Sequence, residues 1–398
     1  MTKLLLKNLP MSGKKVLMRV DFNVPLDSQG QIADDTRIRL SLPSIDYILK
    51  QDAALILISH LGRPNGDTPS LSLEPCGKRL SALLKKEVLF CKDCIGPTVK
   101  LMTDKLQPGS ILLLENLRFH KEEEHPNKDF AFAKSLASIA DVYVNDAFGA
   151  AHRAHSSISA ITHYFPHKAA MGFLMEKEIT FLQETFKHPK RPFYAILGGA
   201  KISSKLGVFN SLLSKVDALF IGGGMSYTFA KALGSKIGNS ICDNNLLPLA
   251  HTFLENAKKN HTPYYLPTDH IIAKTFENTS NSKIVSAKEG IPEGWMGMDI
   301  GPQTLKTWSQ ELQKAATVFW NGPLGVFEFS HFTTGTFGIA KALASLKATT
   351  IVGGGDSISA INSLGLQDSF THISSGGGAS LELIEYGHLP GIDALSDV

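Results

Sequence analysis

Short, continuous apolar runs recur along the chain, and stretches with helical spacing of apolar residues separate them. The strand-like runs read VLMRV, ALILIS, ILLLE, VYVND, FYAIL, ALFIG, YYLP, TVFWN and TTIVG. The helix-like stretches include SIDYILK, CGKRLSALLKK, DFAFAKSLASI and LPLAHTFLENAKK. Continuous rather than alternating apolar strands are typical of a parallel sheet whose two faces are both covered by helices. The pattern therefore predicts an α/β fold with doubly wound, Rossmann-like parallel sheets.

The length of the chain, 398 residues, exceeds that of a usual single domain. The stretch MGFLMEKEITFLQETFKHPKRP (171–192) carries apolar residues at helical spacing and then breaks at His188-Pro189. This stretch divides the strand-like runs into two sets of similar size. We predict two domains, 1–170 and 189–386, joined by an interdomain helix over 171–188 with a cleft between them. A surface helix within a single domain is the alternative.

Charge and composition narrow the class of protein. Forty Lys and Arg against 37 Asp and Glu give a net charge of +3, so no nucleic-acid-binding surface is indicated. No apolar run reaches the ~18 residues of a membrane span, and the start MTKLLLKNLP is too interrupted for a secretory signal. We expect a soluble, cytoplasmic protein. Cys91 and Cys94 have the spacing of a metal or redox pair, but no second pair completes a zinc site, so we interpret both as ordinary thiols.

Glycine-rich turns follow four strand-like runs in the second half, within AILGGAKISSK, LFIGGGMSYTF, IVGGGDSIS and ISSGGGASLEL. Ligands of such sheets bind outside the carboxyl ends of the strands, where glycine lets the backbone approach them closely. We infer a nucleotide site, although neither a P-loop nor a strand-led G-x-G-x-x-G occurs. Lys201 and Lys205 share one helix face and suit a polyphosphate; a solvated lysine pair is the alternative.

The strand ends of the first half carry charged groups and hydrogen-bond donors instead of glycines. They are Asp21, Asn23, His60, Arg63, Arg118, His152, Arg153 and His155. Arg37 lies at a predicted helix start, where the helix dipole also favours anions. Each could be an ordinary surface arginine or core histidine, but arginine forks fit phosphate and carboxylate oxygens in pairs. The shared placement therefore predicts a site for a small, multiply anionic ligand.

Two such halves indicate phosphoryl transfer across a cleft. In this chemistry the protein mainly positions oxygens and neutralises spreading charge, and an acceptor that is already a carboxylate needs no base. Because water would compete for the phosphoryl group, we expect the domains to close around both ligands, with the joining helix as part of the hinge.

Asp356 raises a question, since it places a carboxylate in a glycine turn that should bind phosphate. Either it caps the following helix or it binds a metal that accompanies the phosphates.

Ten motifs in order resemble the phosphoglycerate kinases, from near the first residue to the last. They are RVDFNVPL, ISHLGRP, LLENLRFHKEEE, NDAFGAAHRAHSS, LGGAKISSKLGV, IGGGMSYTF, DIGP, FWNGPLGVFE, VGGGDS and GGGASLELIE. The resemblance implies a monomer with 3-phosphoglycerate on the N-terminal domain and Mg-ADP or Mg-ATP on the C-terminal one. It implies reversible, Mg²⁺-dependent transfer in glycolysis and gluconeogenesis, with ADP and 1,3-bisphosphoglycerate as the products of ATP and 3-phosphoglycerate.

The resemblance also implies roles for individual residues. Those expected to hold phosphoglycerate are Asp21, Asn23, Arg37, His60, Arg63, Arg118 and Arg153. Those expected to act on the transferring group are Arg37, Lys201 and Lys205, and Lys201 and Lys205 also bind the nucleotide. Gly297 would border adenine, Glu328 would accept from the ribose, and Gly354, Gly355, Asp356 and Ser357 would form the phosphate turn, with Asp356 on Mg²⁺. The tail over 387–398 would pack on the N-terminal domain.

Three serines depart from the commonest family pattern: Ser204 where an acid is common, and Ser357 and Ser375 where threonine is usual. Two rival functions remain, a phosphotransferase for another small acid and a nucleotide-binding interaction protein without turnover. The presence of Arg37, Lys201 and Asp356 argues against the second.

Overall fold

A computed structural model describes residues 3–126, 130–200, 202 and 205–398. The chain divides into two compact units. Unit 1 is the chain up to Phe181 together with His388–Val398, and unit 2 is Leu182–Gly387. The division falls inside one helix of the stretch that the sequence analysis assigned to the interdomain helix.

Unit 1 is built on a six-stranded sheet in which every strand pair is parallel. Its strand order is β3-β4-β2-β1-β5-β6. The strands are β1 (Lys15–Arg19), β2 (Ala54–Ile58), β3 (Leu89–Cys91), β4 (Ile111–Leu114), β5 (Val142–Asn145) and β6 (Ala169–Met171). All residues of β2, β4 and β5 are buried, as expected for a parallel sheet covered on both faces.

Helices cover this sheet and supply the other half of its core. They are α1 (Thr36–Leu49), α2 (Glu74–Leu84), α3 (Pro97–Asp104), α4 (Ala131–Ala137) and α5 (Phe173–Lys187). On α1, Ile38, Ile45 and Ile48 repeat at helical spacing and are fully buried, so this helix presents one apolar stripe to the sheet. They join the same apolar cluster as residues of β1 and β2.

Unit 2 has a second six-stranded parallel sheet, of order β15-β14-β13-β7-β8-β9, and a separate three-stranded antiparallel sheet, of order β11-β10-β12. The sequence analysis predicted the parallel sheet and missed the antiparallel one. The strands are β7 (Phe193–Leu197), β8 (Ala218–Ile221), β9 (Tyr264–Tyr265), β10 (Asp269–Ala273), β11 (Ser282–Ser286), β12 (Met296–Ile300), β13 (Thr317–Asn321), β14 (Thr349–Gly353) and β15 (His372–Ile373).

The helices of unit 2 alternate with the strands of its parallel sheet. They are α6 (Leu206–Leu213), α7 (Met225–Ala232), α8 (Leu247–Lys259), α9 (Pro302–Leu312), α10 (Thr334–Ala344), α11 (Gly355–Ser363) and α12 (Gly378–Tyr386). Trp308 of α9 and Trp320 of β13 are buried in an apolar cluster of this unit. In the part of the chain that the structure describes, no helix is long and apolar enough to cross a membrane.

The C-terminal tail returns to unit 1 and carries a short helix, α13 (Pro390–Asp393). The backbone N–H of Leu4 donates to the carbonyl of Ser396 at 2.8 Å, and that of Gly391 donates to the carbonyl of Ala151 at 2.8 Å. The first contact joins the two ends of the chain. The second joins the tail to the strand-end segment that carries Arg153.

Candidate active site

At the carboxyl edge of the unit 1 sheet, an ion pair joins two of the predicted ligand residues. Asp21, just beyond β1, is buried and accepts from Nη1 of Arg37 on the first turn of α1. Burial alone would raise the pKa of Asp21, but the positive field of Arg37, with that of Arg19, outweighs it and holds this pKa below its usual range. Asp21 is therefore an ionised group that orients Arg37.

His60 lies beside this pair, and Arg19 fixes the protonation of its ring. Nη2 of Arg19 is 3.1 Å from Nδ1 of His60, and because arginine is only a donor, Nδ1 accepts. Burial and the charge of Arg19 hold the pKa of His60 well below its ordinary value. The neutral ring therefore carries its proton on Nε2, where it can donate to a ligand. Sequence analysis missed Arg19; a single cation inside the apolar run VLMRV was the available signal.

Arg118 and Arg153 converge on one carboxylate. Nη2 of Arg118 donates to Oε1 of Glu124 at 2.9 Å, and Nη1 of Arg153 lies 3.8 Å from the same oxygen. Arg118 follows β4 in the 3-10 turn Leu117–Phe119 and is buried. Among the described residues its Nε finds no hydrogen-bond partner. The partly exposed carboxylate of Glu124 thus holds the two arginine side chains near each other. The sequence analysis missed Glu124.

Gly62 connects Asn23 to Arg118. Its N–H donates to Oδ1 of Asn23 at 2.8 Å, and its carbonyl accepts from Nη1 of Arg118 at 2.6 Å. The φ of Gly62 is +62°, in the region that favours glycine. Arg63 follows, and its exposed side chain makes no hydrogen bond or ion pair to any described residue. Arg63 is therefore a free cation at this edge.

The two remaining histidines of this segment are neutral, and one of them contacts an arginine. Nε2 of His152 accepts from Nε of Arg153 at 3.2 Å. Burial and neighbouring arginines lower the pKa of His152, and they lower that of His155 to about 3. Buried Glu123 accepts from the N–H and hydroxyl of Ser157 at 3.0 and 2.6 Å, and its carboxylate partly balances Arg19.

Unit 2 contains a cavity of about 400 Å³ that the glycine turns and the antiparallel sheet surround. This volume suits a drug-sized or nucleoside ligand. Three residues predicted to bind the nucleotide line it: Gly297, Glu328 and Asp356. Glu328 is exposed, and its carboxylate makes no hydrogen bond to the described chain.

The glycines of these turns let backbone segments touch where a side chain would separate them. A Cβ on Gly223, whose φ is +64°, would lie 2.6 Å from the nitrogen of Gly199 and 2.6 Å from the carbonyl of Pro323. A Cβ on Gly297 would overlap the hydroxyl of Tyr227. The turns following β7, β8 and β13 therefore pack backbone against backbone, which is a structural reason for glycine at these positions. The predicted approach of these turns to a ligand stays a prediction.

Lys205 is half-buried at the N-terminal end of α6, beside the same turns. Its Nζ donates to the carbonyl of Gly198 at 2.6 Å and to that of Asn321 at 3.2 Å. Burial lowers the pKa of Lys205 to about 8, although the charge of Asp356 opposes the shift. The buried Nδ2 of Asn321 has no hydrogen-bond partner among the described residues. Asn321, which the sequence analysis did not single out, is a donor adjacent to the turn at Gly354.

The turn after β14 has the open form expected of a phosphate-binding segment. Gly354 has φ +89°, and a Cβ on Gly355 would meet no atom of the described residues within 4 Å. The exposed carboxylate of Asp356 accepts no hydrogen bond from the described residues, so it does not cap α11 in this structure. Ser357 is buried, and its hydroxyl accepts from the N–H of Gly322 at 2.7 Å, so it joins the turn after β14 to the turn after β13.

Two residues of the sequence analysis, Lys201 and Ser204, lie outside the described residues. The roles predicted for them stay predictions.

Comparison with known proteins gives one consistent family. The family model described as phosphoglycerate kinase matches residues 6–387. The cytosolic phosphoglycerate kinase of Triticum aestivum is 52% identical over 97% of this chain and 96% of its own length. The phosphoglycerate kinase of Koribacter versatilis is 51% identical over the full length of both chains.

Solved structures agree with these relatives. The phosphoglycerate kinase of Coxiella burnetii aligns with a TM-score of 0.84 at 36% identity over 98% of each chain. That of Pyrococcus horikoshii aligns with a TM-score of 0.86 at 31% identity, again over 98% of each chain. The chain belongs to the phosphoglycerate kinase family.

Proposed function

We propose that this protein transfers a phosphoryl group reversibly between ATP and the carboxylate of 3-phosphoglycerate, a step of glycolysis and gluconeogenesis. It is a phosphotransferase with a carboxyl group as acceptor. The proposal rests on the presence of a different site in each unit. The chain matches the family over residues 6–387. An arginine cluster lies at the sheet edge of unit 1, and a glycine-lined cavity lies in unit 2.

In unit 1, the arginines bind the two anionic ends of phosphoglycerate. Arg63, Arg118 and Arg153 supply forks for phosphate oxygens, and Arg37, held by Asp21, faces the transferring group. His60 donates from Nε2, since Nδ1 is occupied by Arg19. Asn23 holds the loop at Gly62 that carries Arg63 into place.

In unit 2, the cavity binds the nucleoside, and its phosphates extend toward Lys205. Gly297 borders the base, and Glu328 accepts from the ribose hydroxyls. Lys205, the N–H groups of Gly354 and Gly355, and the orphan donor of Asn321 bind phosphate oxygens.

Asp356 fits a magnesium ligand. Its carboxylate is exposed, lines the cavity and is unengaged by the described chain, and oxygen ligands suit Mg²⁺. When bound, Mg²⁺ neutralises charge on the nucleotide phosphates. The positive charge that the protein itself supplies at this point comes from Lys205 and, by family resemblance, Lys201.

Transfer needs no general base, because the acceptor carboxylate is ionised at neutral pH. The work of the chain is to align donor and acceptor oxygens and to neutralise charge as it spreads. We propose that the two units close on each other when both ligands are bound, with the helix Phe173–Lys187 as part of the hinge. Closure would keep water from the phosphoryl group. We further propose that the protein acts as a monomer in the cytoplasm.

The test is a pair of arginine variants on α1. Arg37→Ala should abolish turnover of ATP with 3-phosphoglycerate while leaving ADP binding unchanged, because Arg37 belongs to unit 1. Arg39→Ala is the matched control, since Arg39 pairs with Asp35 on the helix surface at 2.8 Å. Normal turnover by Arg37→Ala, or an equal loss in both variants, would refute the assigned role.

A further inference from the structure

Three side chains of metal-binding type meet beside, but outside, the arginine cluster of unit 1. Asp93 and Cys94 follow β3, and His120 follows the 3-10 turn Leu117–Phe119 after β4. One ligand atom from each lies within 4.8 Å of the other two. The sequence analysis interpreted Cys94 as an ordinary thiol, and the fold places a histidine and a carboxylate beside it.

The three ligand atoms lie close enough together for one metal ion to reach all of them after a small adjustment. Zinc ligands lie ~2.0–2.3 Å from the metal, which sets ligand atoms roughly 3.3–3.7 Å apart. Nε2 of His120 is 2.8 Å from Oδ1 of Asp93, so this contact must open by about 0.5–0.9 Å to admit a cation. Oδ1 of Asp93 also accepts from the backbone N–H groups of Cys94 at 2.7 Å and Ile95 at 3.4 Å, so His120 must make most of this adjustment. The side chain of Asp93 is 51% exposed. Its exposure also leaves a fourth position open to water.

The groups around Cys94 favour a cation. The carboxylates of Asp93, Glu123 and Glu115 lie near enough to act on its thiol, and their negative field attracts a divalent ion. A thiol that coordinates a metal loses its proton and becomes a thiolate ligand.

We propose that Asp93, Cys94 and His120 bind a divalent transition-metal ion of the Zn²⁺ class. Thiolate and imidazole ligands select such an ion over Mg²⁺ or Ca²⁺. The ion would tie the segment after β3 to the segment after β4. The N–H of His120 donates to the carbonyl of Leu117 at 3.1 Å, and its carbonyl accepts from Glu123 at 3.1 Å. A metal on His120 would therefore stabilise the turns on both sides of it.

The first experiment titrates the full-length protein, without substrates, with Co²⁺ as a spectroscopic probe. A thiolate ligand gives an intense near-ultraviolet charge-transfer band, which Zn²⁺ should abolish by displacement. We expect one Co²⁺ per chain, with release of about one proton from the thiol. Loss of a residue that only hydrogen-bonds to a metal ligand already lowers metal affinity roughly 10–100-fold. Loss of a ligand itself, in Cys94→Ser or His120→Gln, should therefore lower the affinity at least ~100-fold.

Cys242→Ser is the matched control, because Cys242 is a free and partly exposed thiol of unit 2. It should keep the full band. Asp93→Asn changes an exposed side chain and tests the site without disturbing the core, and Zn²⁺ should raise the Tm of wild type but not that of Asp93→Asn. No band in wild type, or a band that survives Cys94→Ser and disappears in Cys242→Ser, would overturn the proposal. Because no substrate is present, this result is independent of turnover.

Discussion

Glu124 lies between Arg118 and Arg153, where we expect the phosphate of the substrate to bind. Removal of the charge of Glu124 should therefore strengthen substrate binding. Oε1 of Glu124 lies 2.9 Å from Arg118 and 3.8 Å from Arg153. An anionic substrate must displace this carboxylate before it can use either arginine fully. Glu124→Gln keeps the shape of the side chain and removes its charge.

The magnitude follows from the exposure of the pair. The Arg118 side chain is 5% exposed, but that of Glu124 is 39% exposed, so solvent screens the ion pair. Such pairs contribute about 0.5–1 kcal/mol, and each 1.4 kcal/mol is about tenfold in affinity. The variant should therefore bind 3-phosphoglycerate about two- to fivefold more tightly.

Isothermal titration with 3-phosphoglycerate measures this directly, and ADP affinity should stay the same. Glu122→Gln is the control, since the Glu122 side chain has no hydrogen bond or ion pair with the described residues. Weaker or unchanged substrate binding in Glu124→Gln would show that Glu124 positions the arginines instead of competing for them, and would refute the reasoning.

Three other predictions concern the metal, a buried acid and closure. Asp356→Ala should weaken nucleotide binding mainly when Mg²⁺ is present, because its carboxylate makes no hydrogen bond to the described residues; an equal loss with and without Mg²⁺ in titrations would contradict a metal-binding role. Burial raises the pKa of Asp299 to about 8, against about 3.9 in an unfolded chain. The folded state therefore holds a proton that the unfolded state releases between about pH 4 and 8, so the free energy of unfolding falls as pH rises through this window, by at most about 1.4 kcal/mol per pH unit. In denaturant titrations at several pH values, Asp299→Asn should abolish this fall in the free energy of unfolding. A variant whose free energy of unfolding falls with pH as steeply as that of wild type would contradict the prediction. Small-angle scattering should show compaction only when nucleotide and 3-phosphoglycerate are both added, and no change with the pair would count against closure.

Asp299→Asn also has a cost that should be visible at low pH. The two oxygens of Asp299 accept from the N–H groups of Ile300 and Gly335 at 2.9 and 2.7 Å. A protonated carboxyl group keeps acceptor capacity on both oxygens, whereas an amide accepts only through its carbonyl oxygen. We therefore expect the variant to be less stable than wild type at acidic pH, with the difference narrowing as pH rises.

The sequence predicted the parallel sheets because their strands are buried apolar runs. All nine predicted runs contain strands of the structure. The strands β3 and β6 were missed because each has three residues, too few for a pattern. The antiparallel sheet was missed because β11 has only one buried residue and carries polar residues. Its apolar positions therefore do not form the continuous run that marks the strands of the parallel sheets.

For the site, strand ends and glycine turns indicated which residues to consider, but not what each one touches. No local pattern shows that Arg19 sets the proton of His60 or that Glu124 joins two arginines. The same holds for Cys94 and His120, which meet only through the pairing of β3 with β4. Contacts between segments far apart in the chain are a property of the fold, and a single sequence contains no direct record of them.

The most direct test of the central claim is a coupled assay of phosphoryl transfer between ATP and 3-phosphoglycerate, with and without Mg²⁺. We expect turnover that depends on Mg²⁺ and is absent in Arg37→Ala. No turnover by correctly folded wild-type protein, with nucleotide binding intact, would contradict the assignment and favour a nucleotide-binding protein or a different acid acceptor.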